Sequence, residues 1–252
     1  MLTQTSRKVA ELIRLPLRLI PRDAIVTLRQ GRLRGQRWIV GSYNHNCWIG
    51  TYERRKRAAF EKVVKPGSVV FDIGAHVGFY TLLASILVGE DGKVFAFEPS
   101  PRNLNFLNRH IELNRRRNIT VMPVAIWSKA GVSYFQEGPT SATGSILSQG
   151  TIEVRTVQLD QAVADAELPS PDFLKIDVEG GELEVLRGAC RVLSDARPTI
   201  FLATHGPEVH RQCCDLLRQL GYELTALNGM TPEQSDELLA TPRGIHNGLD
   251  RA

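Results

Sequence analysis

The stretch VVFDIGAHVGFYT, residues 69–81, decides how this chain folds. Its first five residues are apolar except Asp72, the composition of a strand buried on both faces. Gly74 and Gly78 then frame a short turn, and the apolar run FYTLLASILV leads to Gly89, a helix with a glycine stop. Pro66-Gly67 breaks the chain before the strand, and GEDGK makes a turn after the helix. Strand, glycine turn and helix in that order are the first unit of a parallel α/β sheet.

The same rhythm continues downstream. VFAFEP is a second strand closed by Pro99, and the helix after it carries Leu104, Leu107 and Ile111 on one face, with Ser100 as N-cap and Pro101 in the first turn. ITVMPVAIW reads as a third strand, and FLKIDV, PTIFLAT and YELTALN as later ones. One helix is expected to place Leu183, Leu186, Cys190 and Leu193 on a single face, and another Val209, Cys213, Leu216 and Leu220. Residues 131–160 interrupt this, with VSYFQ and IEVRTVQL as short antiparallel strands around the loop GPTSATGS. Upstream, IVTLRQGRLRGQRWIVG suggests two small strands, and Arg7 to Ile20 a basic amphipathic helix interrupted by Pro16. The expectation is a Rossmann-like α/β fold with a mostly parallel, doubly wound sheet, a small antiparallel insertion and a basic N-terminal extension. Residues 1–60 form that extension and cap the site, 61–228 form the main domain, and 229–252 are a polar tail.

The chain has 252 residues, 42% hydrophobic and 23% charged, enough for one α/β domain. No apolar run reaches the roughly 20 residues that cross a bilayer, and MLTQTSRKVAELIRLPLRLIPRD lacks the apolar core of a secretory signal. Cys47, Cys190, Cys213 and Cys214 show neither C-x-x-C nor zinc spacing. A disulfide framework and a metal cage are therefore not expected, no metal ligand is assigned, and the cytoplasm is the expected compartment. Residues 1–67 hold 15 Lys/Arg against 4 Asp/Glu, whereas the remainder holds 16 against 23. That basic front suits a polyanion or an anionic membrane surface. An RNA-binding module is the rival reading, with Trp38, Tyr43, Trp48 and Tyr52 as its few stacking aromatics, although nucleic acid is not the expected partner.

Three motifs carry chemistry. A dinucleotide loop is G-x-G-x-x-G, which cradles a pyrophosphate with backbone N–H groups. Here the pattern is D-x-G-x-x-x-G, and the Asp72 carboxylate would repel a pyrophosphate but suit the ammonium of a methionyl group. Glu98 ends the next strand, 20 residues beyond Gly78, where a carboxylate accepts both hydroxyls of an adenosine ribose. The donor these features fit is S-adenosylmethionine. In FLKIDVEGGE, Asp177 and Glu179 fall at a strand's carboxyl end, where open α/β sheets bind ligands; a helix cap is the alternative use for such acids. His205 follows the strand PTIFLAT and should face the same crevice, where an imidazole takes a proton from a hydroxyl. A divalent ion bridging Asp177 and Glu179 to a diol is a further arrangement that the strand end permits. His76 is expected to contribute mainly backbone.

Taken in order, CWIGTYE, VKPGSVVFDIGAHVGFYTLLA, FAFEPSPRNLNFLNRHIELN, MPVAIWSKAG, DFLKIDVEGGELEVLRGA and LLRQLGYEL resemble the FkbM family of methyltransferases, from about Trp48 to Asn228. The resemblance implies a class I methyltransferase fold, S-adenosylmethionine as donor, and O-methylation of a hydroxyl on a sugar, glycan, glycolipid or secondary metabolite. It places Asp72, Gly74, Ala75 and Gly78 around the methionyl part, Glu98 on the ribose with Ser100 nearby, and Ala125 and Ser128 beside the adenine. His76, Tyr80, Thr81 and Pro99 complete the donor set. Asp177 and Glu179 would face the sulfonium and the acceptor, with His205 or Asp177 as general base, and Tyr52 and Glu53 would close over the acceptor. Two departures stand out: His76 replaces the commoner Asn, and Ala203-Thr204-His205 replaces a commoner acidic pair.

Overall fold

The structure is a computed structural model that describes residues 17, 19–29, 31–136, 145–147 and 150–244. Most of the expected basic helix from Arg7 to Ile20, and most of the loop GPTSATGS, lie outside these residues. Two short strands, β1 (Ile25–Thr27) and β2 (Arg37–Ile39), pair antiparallel, and helices α1 (Asn46–Ile49) and α2 (Arg54–Val63) follow. The helix α2 crosses residue 60, so the extension and the main domain share one element.

The central sheet begins with β3 (Val69–Ile73), α3 (Phe79–Val88), β4 (Lys93–Phe97), α4 (Pro101–Leu113) and β5 (Ile119–Met122). It resumes with β10 (Phe173–Ile176), α6 (Glu182–Arg187), α7 (Cys190–Asp195), β11 (Thr199–Ala203), α8 (Pro207–Gln219), β12 (Tyr222–Ala226) and β13 (Glu237–Pro242). Between them stand β6 (Ala125–Ile126), β7 (Gly131–Gln136), β8 (Ser145–Leu147), β9 (Ile152–Val157) and the helix α5 (Leu159–Ala164). The strand order is β12-β13-β11-β10-β3-β4-β5, all parallel except β13. From β3 the chain builds outward through β4 and β5, then returns to the other side of β3 at β10. That reversal leaves a crevice at the carboxyl ends of β3 and β10.

Three expectations change. ITVMPVAIW is not one strand: Pro123 lacks an N–H to continue a ladder, so β5 ends at Met122. Ala125 and Ile126 then join a separate four-stranded sheet ordered β6-β9-β7-β8, in which β7 and β9 pair antiparallel as expected. The single helix over Leu183 to Leu193 is two. A Cβ at Gly188 would lie 2.1 Å from the Trp127 carbonyl oxygen, and the Asp160 carboxylate accepts from the amides of Arg191 and Val192 at 3.0 and 2.9 Å, starting a new helix. The tail expected from residue 229 contains β13, whose Leu238, Leu239 and Ala240 are buried between β11 and β12. Among the described residues no helix is long and apolar enough to cross a membrane.

One histidine anchors the N-terminal hairpin. His110, on α4, is fully buried and stacks on Trp38 at 4.0 Å between ring centroids. Its Nε2 accepts from the Ile39 amide at 3.1 Å, which leaves the proton on Nδ1, donated to the Val77 carbonyl at 2.8 Å. Burial pushes its pKa down to about 4. An unfolded histidine takes a proton near pH 6.5, so the folded state loses ground as pH falls from there towards 4. In urea unfolding, the stability gap between wild type and His110→Gln should therefore shrink by about 2 kcal/mol from pH 7 to pH 5; a constant gap would show that His110 is not neutral.

Candidate active site

The register of β3 against β10 builds the crevice. Ile73 lies beside Ile176, so Gly74 and Asp177 leave their strands side by side, and the Asp177 amide donates to the Ile73 carbonyl at 3.1 Å. A Cβ on Gly74 would fall 2.0 Å from the Asp177 carbonyl oxygen, and its φ is +77°; only glycine fits. Gly78, at φ +94°, lets Leu107 press against the start of α3.

One pocket gathers Gly74, Ala75, His76, Tyr80, Glu98, Pro99, Ala125, Asp177, Glu179 and His205, together with Tyr52 and Glu53 from the extension. Five expected residues stand outside its lining. Asp72 is buried behind the turn, 3.3 Å from Lys175 Nζ and accepting from the Thr81 hydroxyl at 2.6 Å. Its charge already has a cation, and Thr81 serves Asp72. Gly78 packs on Leu107, and Ser100 caps α4 through the Asn103 amide. Ser128 donates to Glu184, on a separate groove.

Glu98 is 4% exposed and pinned by donors. Its Oε2 accepts from the His76 amide at 2.8 Å, and its Oε1 from the Ser100 amide at 2.9 Å and the Asn103 amide group at 3.2 Å. Burial nonetheless raises its pKa, against these bonds. A carboxylate oxygen has two lone-pair sites, so acceptor capacity remains towards the pocket. His76 donates its amide from φ +53°, and its ring meets Tyr43 edge-on at 4.6 Å. The wall beyond Glu98 is apolar: Phe97, Val124, Ile126 and Trp127, with Phe135 from the second sheet.

The other end of the pocket is ionic. Lys175 Nζ donates to the Gly74 carbonyl at 2.8 Å and reaches Asp177 Oδ2 at 3.8 Å. Lys56 is 2% exposed and pairs with Asp177 at 3.2 Å, Glu53 at 3.3 Å and Glu237 at 3.7 Å. Burial would raise the Asp177 pKa, but Lys56 and then Lys175 overcome it and hold the carboxyl far below the usual range. The same acids keep Lys56 charged despite its burial. Burial, with Glu53 beside it, raises Tyr80 well above its ordinary value, so the neutral phenol donates to Glu53 at 2.9 Å. Glu179 stands at φ +56° with its pKa raised by burial.

His205 Nδ1 donates to Glu182 at 2.8 Å, and Nε2 lies 3.5 Å from Glu179 and 3.9 Å from Asp177. The Glu182 hydrogen bond, against burial and with help from Glu179, lifts the His205 pKa to about 9. Asp177, Glu179 and His205 each bring a ligand atom within 4.8 Å of the others, a spacing that a divalent ion could close on; Lys56 and Lys175 already compensate Asp177.

Lys175, Lys56, Glu182, Glu237 and Tyr43 escaped the reading of the motifs. A lysine inside the apolar strand FLKI was a legible signal, because a buried cation needs a partner. Lys56 was hidden among surface arginines, and Glu237 in a stretch taken for tail.

Residues 72–224 match the model of the methyltransferase FkbM domain. The chain belongs to the FkbM methyltransferase family. It is 31% identical over 166 residues to the hexuronic acid methyltransferase AglP of Haloferax volcanii, covering 64% of this chain and 66% of that protein, just under two thirds of its length. Methyltransferase sdnD of Sordaria araneosa is 24% identical over 192 residues, covering 62% and 74%. The solved methyltransferase FkbM of Methylobacillus flagellatus KT superposes with a TM-score of 0.49 at 21% identity, covering 73% of this chain and 50% of that one.

Lys175→Met should cost about 3–5 kcal/mol in urea unfolding, because it leaves Asp72 buried without its cation. A loss below about 1 kcal/mol, within the range of a surface ion pair, would show that Asp72 does not need it.

Proposed function

We propose that this chain transfers a methyl group from S-adenosylmethionine to a hydroxyl of a sugar-containing acceptor. The observation that carries the reading is the pairing, across one crevice, of the Glu98 carboxylate with the Asp177, Glu179 and His205 cluster. Glu98 suits a ribose diol, and Gly74, Ala75 and His76 bring the backbone of the glycine turn to the same pocket, where an amino-acid tail can lie against it. Phe97, Val124, Ala125 and Ile126 offer an apolar slot to an adenine. When bound, the donor supplies a methyl on a cationic sulfonium, and Asp177 and Glu179 provide negative charge beside it.

Positioning does much of the work in such a transfer, and Tyr52 and Glu53 bound the acceptor side. Asp177, gripped by two lysines, is a weak base. His205 presents Nε2 to the crevice and takes the hydroxyl proton in its neutral form. The relation to a hexuronic acid methyltransferase supports a sugar acceptor. The RNA reading loses ground, since Trp38 is buried and Tyr43 and Tyr52 face the pocket. A membrane-surface contact through Arg7 to Arg22 is compatible with their charge, and liposome flotation of the full chain against one starting near Ile25 tests it.

Calorimetry with S-adenosylhomocysteine tests the donor site. The wild type should bind it, Glu98→Ala should weaken binding at least about tenfold through loss of a charge-assisted hydrogen-bonding group, and Asp177→Ala and His205→Ala should retain binding. With methyl glycosides and uronosides as acceptor probes, the last two variants should each lose most turnover. No uptake of the product by the wild type would overturn the reading.

A further inference from the structure

We infer that Glu182 is the positioning residue that selects the reactive nitrogen of His205, holding the proton on Nδ1 so that Nε2 faces the acceptor hydroxyl. The inference rests on the methyl-transfer reading and assigns a role to a residue that never touches the acceptor.

Glu182 opens α6 and is 0% exposed. A single oxygen, Oε1, accepts from His205 Nδ1 at 2.8 Å, the Gly180 amide at 3.0 Å and the Val178 amide at 3.4 Å. That atom therefore ties the loop after β10, which carries Asp177 and Glu179, to the end of β11, which carries His205. The loop is bent for this: Glu179 and Gly180 both have positive φ, at +56° and +102°, which turns the Gly180 amide back towards Glu182. The other oxygen, Oε2, receives no hydrogen bond among the described residues, so the imidazole is the one side chain that these bonds bring to this buried carboxylate.

An ionised carboxylate only accepts hydrogen bonds, so the nitrogen facing it carries the proton. Nδ1 is thereby committed, and the imidazole, itself 37% exposed, turns Nε2 to the open side. The groups facing Nε2 are Glu179 and Asp177, with Lys56 from α2 and Lys175 from β10 behind Asp177. During transfer the bond from acceptor oxygen to methyl carbon forms and the bond from carbon to sulfur breaks. The hydroxyl proton moves to Nε2, and the sulfur leaves as a neutral thioether. The imidazolium so formed lies against a buried carboxylate of opposite charge, which stabilises it as the proton arrives.

Nitrogen NMR of the full chain labelled at histidine tests this without an acceptor, with His205 identified by the signals lost in His205→Gln. The expected result is an imidazole that deprotonates close to pH 9 and is protonated on Nδ1 when neutral. Glu182→Gln keeps the shape and removes the charge, and should lower that midpoint by about one unit or more. A neutral wild-type form protonated on Nε2 overturns the inference, as does an unshifted midpoint in Glu182→Gln. The wild-type tautomer decides the matter if the variant does not fold. A shift of the His205 Nε2 resonance on adding equimolar diamagnetic Zn²⁺, as direct coordination of that nitrogen requires, would assign Nε2 to a cation and also overturn it. Calorimetry with S-adenosylhomocysteine on the same sample keeps the failures apart: a chain that binds it and shows the wrong tautomer loses only the role of Glu182.

Discussion

The ammonium of Lys175 is the point on which the site depends. It sits inside a parallel sheet at the reversal of strand order, bonded to the Gly74 carbonyl and flanked by Asp72 and Asp177. A cation in that position would be untenable without both acids, and Asp72 would be untenable without the cation. The pair belongs to adjacent strands, β10 and β3, so satisfying it fixes how the glycine turn meets the loop after β10. The two ends of the pocket are joined there by electrostatics, in addition to the ladder of backbone bonds.

Around this pair the charges divide by duty. Asp177 spends one oxygen, Oδ2, on Lys56 and Lys175 and turns Oδ1 towards His205. The lysines keep that carboxylate ionised and make it a poor base, whereas Glu182 makes His205 a better one. Two groups that look equivalent as strand-end residues thus acquire opposite proton affinities from neighbours that approach them through space. The N-terminal extension takes part as well, because Lys56, Glu53 and Tyr52 come from its last helix and the turn before it.

Much of this was legible in residue order. The strand, glycine turn and helix of residues 69–88 fold as their periodicity requires, and Glu98, Asp177, Glu179 and His205 reach one crevice because each follows a parallel strand. Asp72 is the instructive miss. Its place in the motif suggested a partner for an ammonium, and it has one, but the ammonium belongs to Lys175. Ser128 lies too far along β6's exit to face the pocket and bonds Glu184 instead. The strand β13 was lost because ELLATP is short and sits among polar residues, and its burial comes from β11 and β12 rather than from its own pattern.

Sequence by itself determined the parallel α/β architecture, the glycine turn and the acids at the strand ends, because these follow from local spacing and from the rule that parallel strands present their carboxyl ends together. Tertiary structure alone decided which charges meet. Lys56 reaches Asp177 across 121 residues, and Lys175 reaches the Gly74 carbonyl across 101. Proton affinities in a buried site are set by groups within a few ångströms, and a sequence orders its residues without stating those distances.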